Sequence, residues 1–435
     1  MQKKVNKKRL FYAIGFILIL VFIAKPVKVF ILNAIEDPYN IQKIGNYLYS
    51  DKDIDLDSLH CHCDSLQINI GEKPLLSIYE IIDSLHSPLN RLKRYLHFAN
   101  LVEIDPYSNE IPSTDYSDIT YSFNQFKAEG KLKMIGRYWD HYNTDKFSFR
   151  IKSKKNFFIN DKTNFYHSQV RYGGVYEWFG NEILKLFDII SLDCGFVDVT
   201  INGEHKNLYF YQEQPTSNTI EKNHRKPGIT FRISKDSSKN LYVSNLYDFD
   251  KENDSNYLKL LNVKLEKYNQ QQLLPKKLFN IQKMIDFGTA MSFLNADHAR
   301  YPMNTYFYFN PTDSLVEPFS REFQSNSYEP KGSISFSHPY YLKKTYFKPE
   351  NIGRISDTYC FPPKEAKQFK SKVKENLRLK ISERFFEEME AISDNMENIM
   401  SCGLLSDPSY SSFDFDRFLM NKELIIQYFK KNTSK

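Results

Sequence analysis

Two cations lie on one face of a short strand that the sequence predicts over residues 147–152. The segment reads Phe-Ser-Phe-Arg-Ile-Lys. Because side chains alternate between the two faces of a strand, Phe149 and Ile151 share one face. Arg150 and Lys152 share the opposite face, where two cations that point the same way could bind a phosphate or carboxylate group. The alternative is a half-buried strand whose basic face is only solvated.

Length and composition limit the classes of function. At 435 residues, the chain exceeds the roughly 250–300 residues at which single cores stop growing, so we expect one large domain with appendages, or two domains. Only 15 residues are glycine, and the absence of a Gly-x-x-x-x-Gly-Lys motif argues against a Walker-type phosphate loop. The net charge of +6 is modest and is spread along the chain outside the N-terminus. A nucleic-acid partner is therefore not expected.

The N-terminus carries a targeting signal. Five cations between Lys3 and Arg9 precede an apolar run from Leu10 to Ala24, which has the length of a signal peptide or a short signal anchor. The positive-inside rule leaves the N-terminus in the cytoplasm and exports the rest of the chain. We expect a single-pass membrane protein with an extracytoplasmic main domain. Cleavage and secretion are the alternative.

Strands and helices follow each other along the rest of the chain. Apolar spacing predicts a helix over residues 174–190, and alternation predicts a hairpin over 196–211 with its turn at Asn202-Gly203. A second hairpin is predicted over 306–319, and helical spacing returns after it. The mixture indicates an α+β protein.

Several dispersed motifs occur in one order between residues 89 and 328. They are Gly136-Arg137 with Tyr138-Trp139-Asp140-His141, Asp145 to Lys152, Tyr176-Glu177-Trp178, Phe196 to Glu204 with Leu208-Tyr209 and Glu213, and Asp297-His298 with Asn304 and Tyr306. This order resembles that of the CotH kinase family, named for a spore coat protein, whose members have an atypical protein-kinase-like fold.

The resemblance implies a fold class, and together with the N-terminal signal and the spacing of apolar residues it gives an expected domain organisation. The expected fold is α+β, with an atypical protein-kinase-like domain of two lobes. The expected parts are a transmembrane signal anchor (1–34), a juxtamembrane stalk (35–88), the CotH kinase-like domain (89–363) and a helical C-terminal segment (364–435). The last segment either completes the lower lobe or forms a module that binds a partner.

The resemblance also implies a nucleotide site. Lys152, together with Arg150, would bind nucleotide phosphates, because a fixed cation neutralises the charge of a transferring phosphoryl group. Glu177, on the helix after that strand, would orient the lysine; its alternative is a solvent-exposed helix residue. Glu213, at the end of a hairpin strand, would lie at the nucleotide edge or between the lobes. Its alternative is an ordinary carboxylate at a strand end.

Catalytic and metal-binding roles follow from the same resemblance. A phosphotransferase needs a carboxylate to position the hydroxyl nucleophile, and amide and carboxylate oxygens to hold magnesium. Asp297 is the expected base, with His298 in its place on another register, and Asn304 is an expected metal ligand. The family's second metal ligand is an aspartate, whereas Glu322 stands at that place here. The seven-residue step from Asp297 to Asn304 is also longer than the step in ordinary kinase loops.

The expected function is phosphotransfer from ATP, with Mg²⁺ or Mn²⁺, to Ser or Thr hydroxyls of an envelope or surface protein. The alternative is a catalytically degenerate relative that acts as a non-enzymatic binding or scaffold protein of the envelope, which the departure at Glu322 favours. A glycan hydrolase with paired carboxylates is a third class, but the sequence fixes no two carboxylates at a defined separation.

Overall fold

The computed structural model describes much of the chain between residues 64 and 433. The described residues are 64–85, 87, 115–136, 141–143, 146–154, 162–167, 173–247, 249–296, 298–300, 302, 304–321, 323, 349, 352–359, 361–380, 383–406 and 416–433. The N-terminal apolar run of residues 10–24 lies outside this part.

Strands dominate the first half of the described chain. In chain order the elements are β1 (Asp64–Ile70), α1 (Glu72–Leu85), β2 (Ser117–Phe123), β3 (Phe126–Met134), β4 (Tyr142–Asn143), β5 (Lys146–Phe147), β6 (Phe149–Ser153), β7 (Lys162–His167), α2 (Gly173–Leu186), β8 (Cys194–Ile201) and β9 (Glu204–Glu213).

Helices become more frequent in the second half. The elements are α3 (Ser217–Lys222), β10 (Thr230–Lys235), β11 (Leu241–Tyr247), α4 (Lys251–Asn269), α5 (Pro275–Leu278), α6 (Ile281–Leu294), a 3₁₀-helix (His298–Arg300), β12 (Thr305–Asn310), β13 (Leu315–Ser320), α7 (Ile355–Thr358), α8 (Pro363–Lys380), α9 (Glu383–Ser406) and α10 (Asp416–Thr433).

Seven strands form a closed barrel in the order β1-β2-β3-β6-β7-β9-β8. β1 closes it, because this strand pairs antiparallel with β2 on one side and parallel with β8 on the other. The alternation in β1 buries Leu66, Ile68 and Ile70. These side chains share the barrel core with Phe149 and Ile151, so the apolar face predicted for residues 147–152 is confirmed.

The β8–β9 hairpin turns at the predicted dipeptide. Asn202 has a φ of 49° and Gly203 a φ of 83°, and positive φ at both central residues is what the type I′ turn of a two-residue hairpin requires. The Asn202 side chain also accepts a hydrogen bond from the Ile70 N–H and donates one to the Ile70 carbonyl, at 2.8 and 2.9 Å. The turn is therefore fixed to the end of β1.

A second sheet, in the order β11-β10-β12-β13, packs with the helices around a larger core. α6 is buried along almost its whole length in this core. α2 bridges from the larger core to the outside of the barrel, since Trp178 and Phe179 belong to the same cluster as Phe196 of β8 and Phe210 of β9. α2 therefore lies against the barrel and the second core at once.

The predicted architecture, an α+β kinase-like domain of two lobes, is wrong. The described chain is a mixed α/β structure built on the closed barrel. The physical reason is β1, which comes from the segment expected to be a stalk (35–88) and joins the two ends of the barrel sheet. Residues 1–34 lie outside the described part, and of the helices within it, none has both the length and the hydropathy needed to cross a membrane.

Candidate functional site

Glu177 joins three parts of the chain through its carboxylate. The residue lies in the second turn of α2 and is 7% exposed. Gln212 Nε2, on β9, donates a hydrogen bond of 3.3 Å to Glu177 Oε1. The backbone N–H of Phe323, three residues beyond β13, donates one of 3.0 Å to Oε2. The alternative of a solvent-exposed helix residue is thus wrong, because the carboxylate holds α2, β9 and the chain after β13 together.

Gly180 allows the close approach of Phe323 to α2. Residues three apart share a helix face, so Gly180 lies beside Glu177. A Cβ built on Gly180 would lie 2.2 Å from Cγ of Phe323, a separation that atoms in a folded protein do not adopt. Phe323 is therefore fixed in two ways, by the close approach that Gly180 allows and by the hydrogen bond to the Glu177 carboxylate. It directly follows Glu322 in the sequence.

A row of polar side chains crosses the outside of the barrel toward Glu177. In register, Arg150 of β6 lies opposite Asn164 of β7, and Asn164 lies opposite Gln212 of β9. Arg150 Nε donates a hydrogen bond of 2.8 Å to Asn164 Oδ1. The cation is thereby oriented within the row that ends at the Glu177 carboxylate.

Lys152 lies in a second row, two residues further along β6. It is exposed and stands between Lys131 of β3 and Lys162 of β7. Within the described part of the chain, its side chain forms no ion pair, so the structure does not join Lys152 to Glu177. With Arg150, these lysines form a basic face of four cations on three neighbouring strands. Such a face attracts phosphate groups.

In the loop between α6 and β12, one backbone carbonyl accepts hydrogen bonds from the ends of two strands. Ser320 Oγ, at the end of β13, lies 2.6 Å from the Ala299 carbonyl, and Thr305 Oγ1, at the start of β12, lies 2.9 Å from it. Ser320 Oγ also lies 3.0 Å from the Asn304 carbonyl, which accepts a hydrogen bond of 3.4 Å from the Arg321 N–H. This loop carries the predicted catalytic residues, so its path is tied to the strand ends.

Of the two predicted metal ligands, the described part of the chain contains Asn304. Asn304 is 3% exposed and directly precedes β12, whose first residue pairs with Ser320. Asp297 and Glu322 lie outside the described residues, and the 3₁₀-helix begins at His298. No group of three His, Cys, Asp or Glu side chains suited to a metal ion occurs in the described part. The amide oxygen of Asn304 and a carboxylate at Glu322 are nevertheless the donor types that Mg²⁺ takes.

Glu213 sits apart from Glu177, where β9 meets α3. It is 3% exposed; its Oε1 accepts a hydrogen bond of 2.9 Å from the Asp193 N–H, and Lys222 Nζ lies 3.6 Å from Oε2. Burial raises the pKa of Glu213 to about 7, although the charge of Lys222 acts in the opposite direction. This carboxyl group therefore keeps its proton to a higher pH than an exposed glutamate does.

Among the contributors to the site that were not predicted, Gln212 and Gly180 left a signal in the sequence. Gln212 is a polar residue that continues the apolar face of Leu208 and Phe210 at a two-residue step. Gly180 interrupts the apolar stripe of a helix, as a close approach requires. Ser320 left none, because its role depends on a carbonyl 21 residues away.

Comparison with known proteins adds no family assignment. No protein-family model matches the sequence, and no curated protein shows significant similarity to it. The resemblance to the CotH kinase family therefore stays a prediction that rests on the dispersed motifs.

Proposed function

We propose that this protein transfers a phosphoryl group from ATP to Ser or Thr hydroxyls of an envelope or surface protein, as a divergent relative of the CotH family. The observation that carries the proposal is the buried carboxylate of Glu177. It connects the polar row that begins at Arg150 with the residue that follows Glu322. The proposal rests on this convergence of side chains and does not need a kinase-like pair of lobes.

The proposed roles fall into two groups, phosphate binding by residues of the barrel and catalysis and metal binding by residues around β12 and β13. Arg150 and Lys152 bind the nucleotide phosphates from the barrel, because fixed cations stabilise the charge that spreads over the transferring group. Asp297 accepts the proton of the acceptor hydroxyl. Asn304 and Glu322 hold Mg²⁺ or Mn²⁺, which when bound neutralises charge on the phosphates. Ser320 keeps the loop of Asp297 in place through the Ala299 carbonyl.

A second candidate function is non-enzymatic binding of envelope components by the same protein. The observation in its favour is that the side chain of Lys152, within the described residues, is exposed and forms no ion pair with Glu177. The glutamate at position 322, where the family has an aspartate, also favours this candidate. Its longer side chain fits a metal site less well, since Mg²⁺ demands near-ideal octahedral geometry. Nucleotide binding without turnover would be the result expected of this candidate.

The proposed location is the outer side of a membrane. The basic N-terminal residues and the apolar run of residues 10–24 are the support, because together they have the features of a signal anchor. Substrates would then be exported proteins of the envelope or surface, and nucleic acid is not among the expected partners. Release of the protein after cleavage is the alternative.

The test is Mg·ATP binding by the full-length protein, measured by calorimetry. Lys152→Ala, Asp297→Ala and Glu322→Ala are compared with wild type. Lys154→Ala is the matched control, since Lys154 is an exposed lysine just after β6 that pairs with Glu129 and Asp118. We expect at least tenfold weaker binding for Lys152→Ala and Glu322→Ala, loss of turnover for Asp297→Ala, and no change for Lys154→Ala. A folded wild-type protein without saturable binding would contradict the proposal.

A further inference from the structure

Two arginines surround the ring of Tyr306 at the start of β12. The guanidinium carbon of Arg232, from β10, lies 4.8 Å from the centre of this ring, and that of Arg321 lies 5.6 Å from it. Arg232 Nη2 also donates a hydrogen bond of 3.1 Å to the Tyr306 hydroxyl, and its guanidinium lies 5.5 Å from the ring of Tyr247. Both arginines are half-buried. Stacking therefore holds two positive charges close together.

Arg232 has no counter-charge among the described residues. Its guanidinium contacts the two tyrosines, and its Nε is buried without a hydrogen-bond partner. Burial raises the pKa of Tyr247, so this hydroxyl stays neutral at physiological pH. The nearest described carboxylate on the same sheet, Glu317, is paired with Arg225 at 3.4 Å. A half-buried guanidinium without a carboxylate partner is costly unless an anion binds its exposed side.

Through Arg321 and the ring of Tyr306, the arginine pair lies close to the proposed metal ligands Asn304 and Glu322 in sequence, on the side of the site where the protein to be phosphorylated would bind. Tyr306 comes two residues after Asn304, and Arg321 precedes Glu322 and bonds through its N–H to the Asn304 carbonyl. The cations proposed for the nucleotide phosphates, by contrast, are on the barrel strand β6. The arginine pair and the barrel cations are therefore two separate groups on different sheets.

We infer that Arg232 and Arg321 bind a carboxylate of the acceptor protein, so that the Ser or Thr to be modified lies beside Asp or Glu. A stacked guanidinium keeps its planar fork of N–H donors in one orientation, and this fork matches the two oxygens of a carboxylate. The identification of the ligand as an acceptor segment rests on the proposed function. The anion-binding site itself rests only on the geometry around Tyr306.

The experiment measures binding of two fluorescent peptides to the full-length protein by anisotropy. Both peptides contain one Ser, flanked by Asp in one and by Asn in the other. We expect wild type to bind the Asp peptide at least tenfold more tightly, and Arg232→Gln to bind both equally. Arg232→Lys, which keeps the charge but loses the fork, should retain part of the preference. Arg384→Gln is the control, since this arginine is exposed and pairs with Glu388 on its own helix.

The outcomes separate this inference from the proposed function. Equal binding of the two peptides by wild type, or a preference that survives in Arg232→Gln, would overturn the inference. Displacement of the Asp peptide by ATP in the absence of Mg²⁺ would assign the arginines to nucleotide phosphates and overturn it as well. A preference for the Asp peptide in a protein that neither binds nor hydrolyses ATP would support the inference while contradicting the phosphotransferase.

Discussion

Substitution of Gly180 by alanine tests whether the contact between α2 and Phe323 organises the site. The added methyl group would lie 2.2 Å from Cγ of the Phe323 ring. Rotation about the Cβ–Cγ bond does not move Cγ, and Phe323 is buried in the larger core, where a new rotamer about Cα–Cβ would meet packed neighbours. We therefore expect Phe323 to move as a residue. The movement would lengthen the hydrogen bond of 3.0 Å from its N–H to the Glu177 carboxylate.

The expected loss of stability follows from three terms. Overpacking of a well-packed site costs about 1–3 kcal/mol. Loss of a hydrogen bond to a charged group costs about 1.5–3 kcal/mol. Replacement of glycine by alanine inside a helix returns about 1 kcal/mol. We therefore expect Gly180→Ala to lower the free energy of unfolding by about 3 kcal/mol and to weaken Mg·ATP binding.

Gly288→Ala is the matched control, because Gly288 also lies in the middle of a helix. A Cβ there would meet Val373 at 3.2 Å and its next neighbours at 3.6 Å, contacts that small shifts relieve. Its free energy of unfolding should stay within about 1 kcal/mol of wild type. Urea unfolding is followed by the fluorescence of Trp178 in a Trp139→Phe background, since the chain has 2 tryptophans.

The result that would refute this reasoning is equal stability of the two alanine variants, with unchanged Trp178 fluorescence and unchanged Mg·ATP affinity. Phe323 would then not be fixed by α2, and Glu177 would not organise the chain after β13. Lower stability of Gly180→Ala with full nucleotide affinity would separate packing from function and contradict the role given to Glu177.

Two further substitutions test groups near the site. Burial raises the pKa of Glu213 from 4.5 to about 7, so its protonated form favours the folded state; stability from this group is present below pH 4.5 and is lost as pH rises to about 7. The free energy of unfolding, measured by urea titration at each pH, is compared between wild type and Glu213→Gln. The difference, wild type minus variant, should fall over this range by about 3 kcal/mol. A difference that does not change with pH would contradict the assignment. Ser320→Ala should cost about 1 kcal/mol and slow phosphoryl transfer, because the Ala299 carbonyl loses a partner. Ser356→Ala, which loses a similar buried bond to Gly353, should affect stability alone; equal transfer rates would contradict the positioning role.

Local sequence patterns predicted the elements that carry the site. α2 was expected over residues 174–190 and runs from Gly173 to Leu186. The hairpin of β12 and β13 was expected over residues 306–319 and covers Thr305 to Ser320. These predictions succeed because helical spacing, strand alternation and turn residues act over a few neighbouring positions.

Closure of the barrel could not be predicted in the same way. β1 alternates Leu66, Ile68 and Ile70, yet it follows an acidic, weakly apolar segment that is typical of a stalk. Its parallel partner, β8, begins at Cys194, more than 100 residues away. A pattern of alternation shows that a strand exists, but it does not show which strand it pairs with.

In the candidate site, too, relations between neighbouring residues were predicted and relations between distant segments were not. Glu177 was singled out by the resemblance, while its partners Gln212 and Phe323 come from elements 35 and 146 residues away. The expected pairing of Glu177 with Lys152 reflects the kinase-like architecture, which the closed barrel replaces. Spacing along one strand predicted the shared face of Arg150 and Lys152, because that relation is local.

The most direct test of the central claim is single-turnover transfer of labelled phosphate from Mg·ATP by wild type and Glu177→Gln. The control is Glu182→Gln, which lies on the same helix and pairs with Lys185. We predict transfer to Ser or Thr by wild type and by the control, and a loss of at least tenfold in Glu177→Gln when the rates are compared at equal amounts of folded protein. Transfer at the wild-type rate by Glu177→Gln, or no transfer by any folded form, would contradict the account.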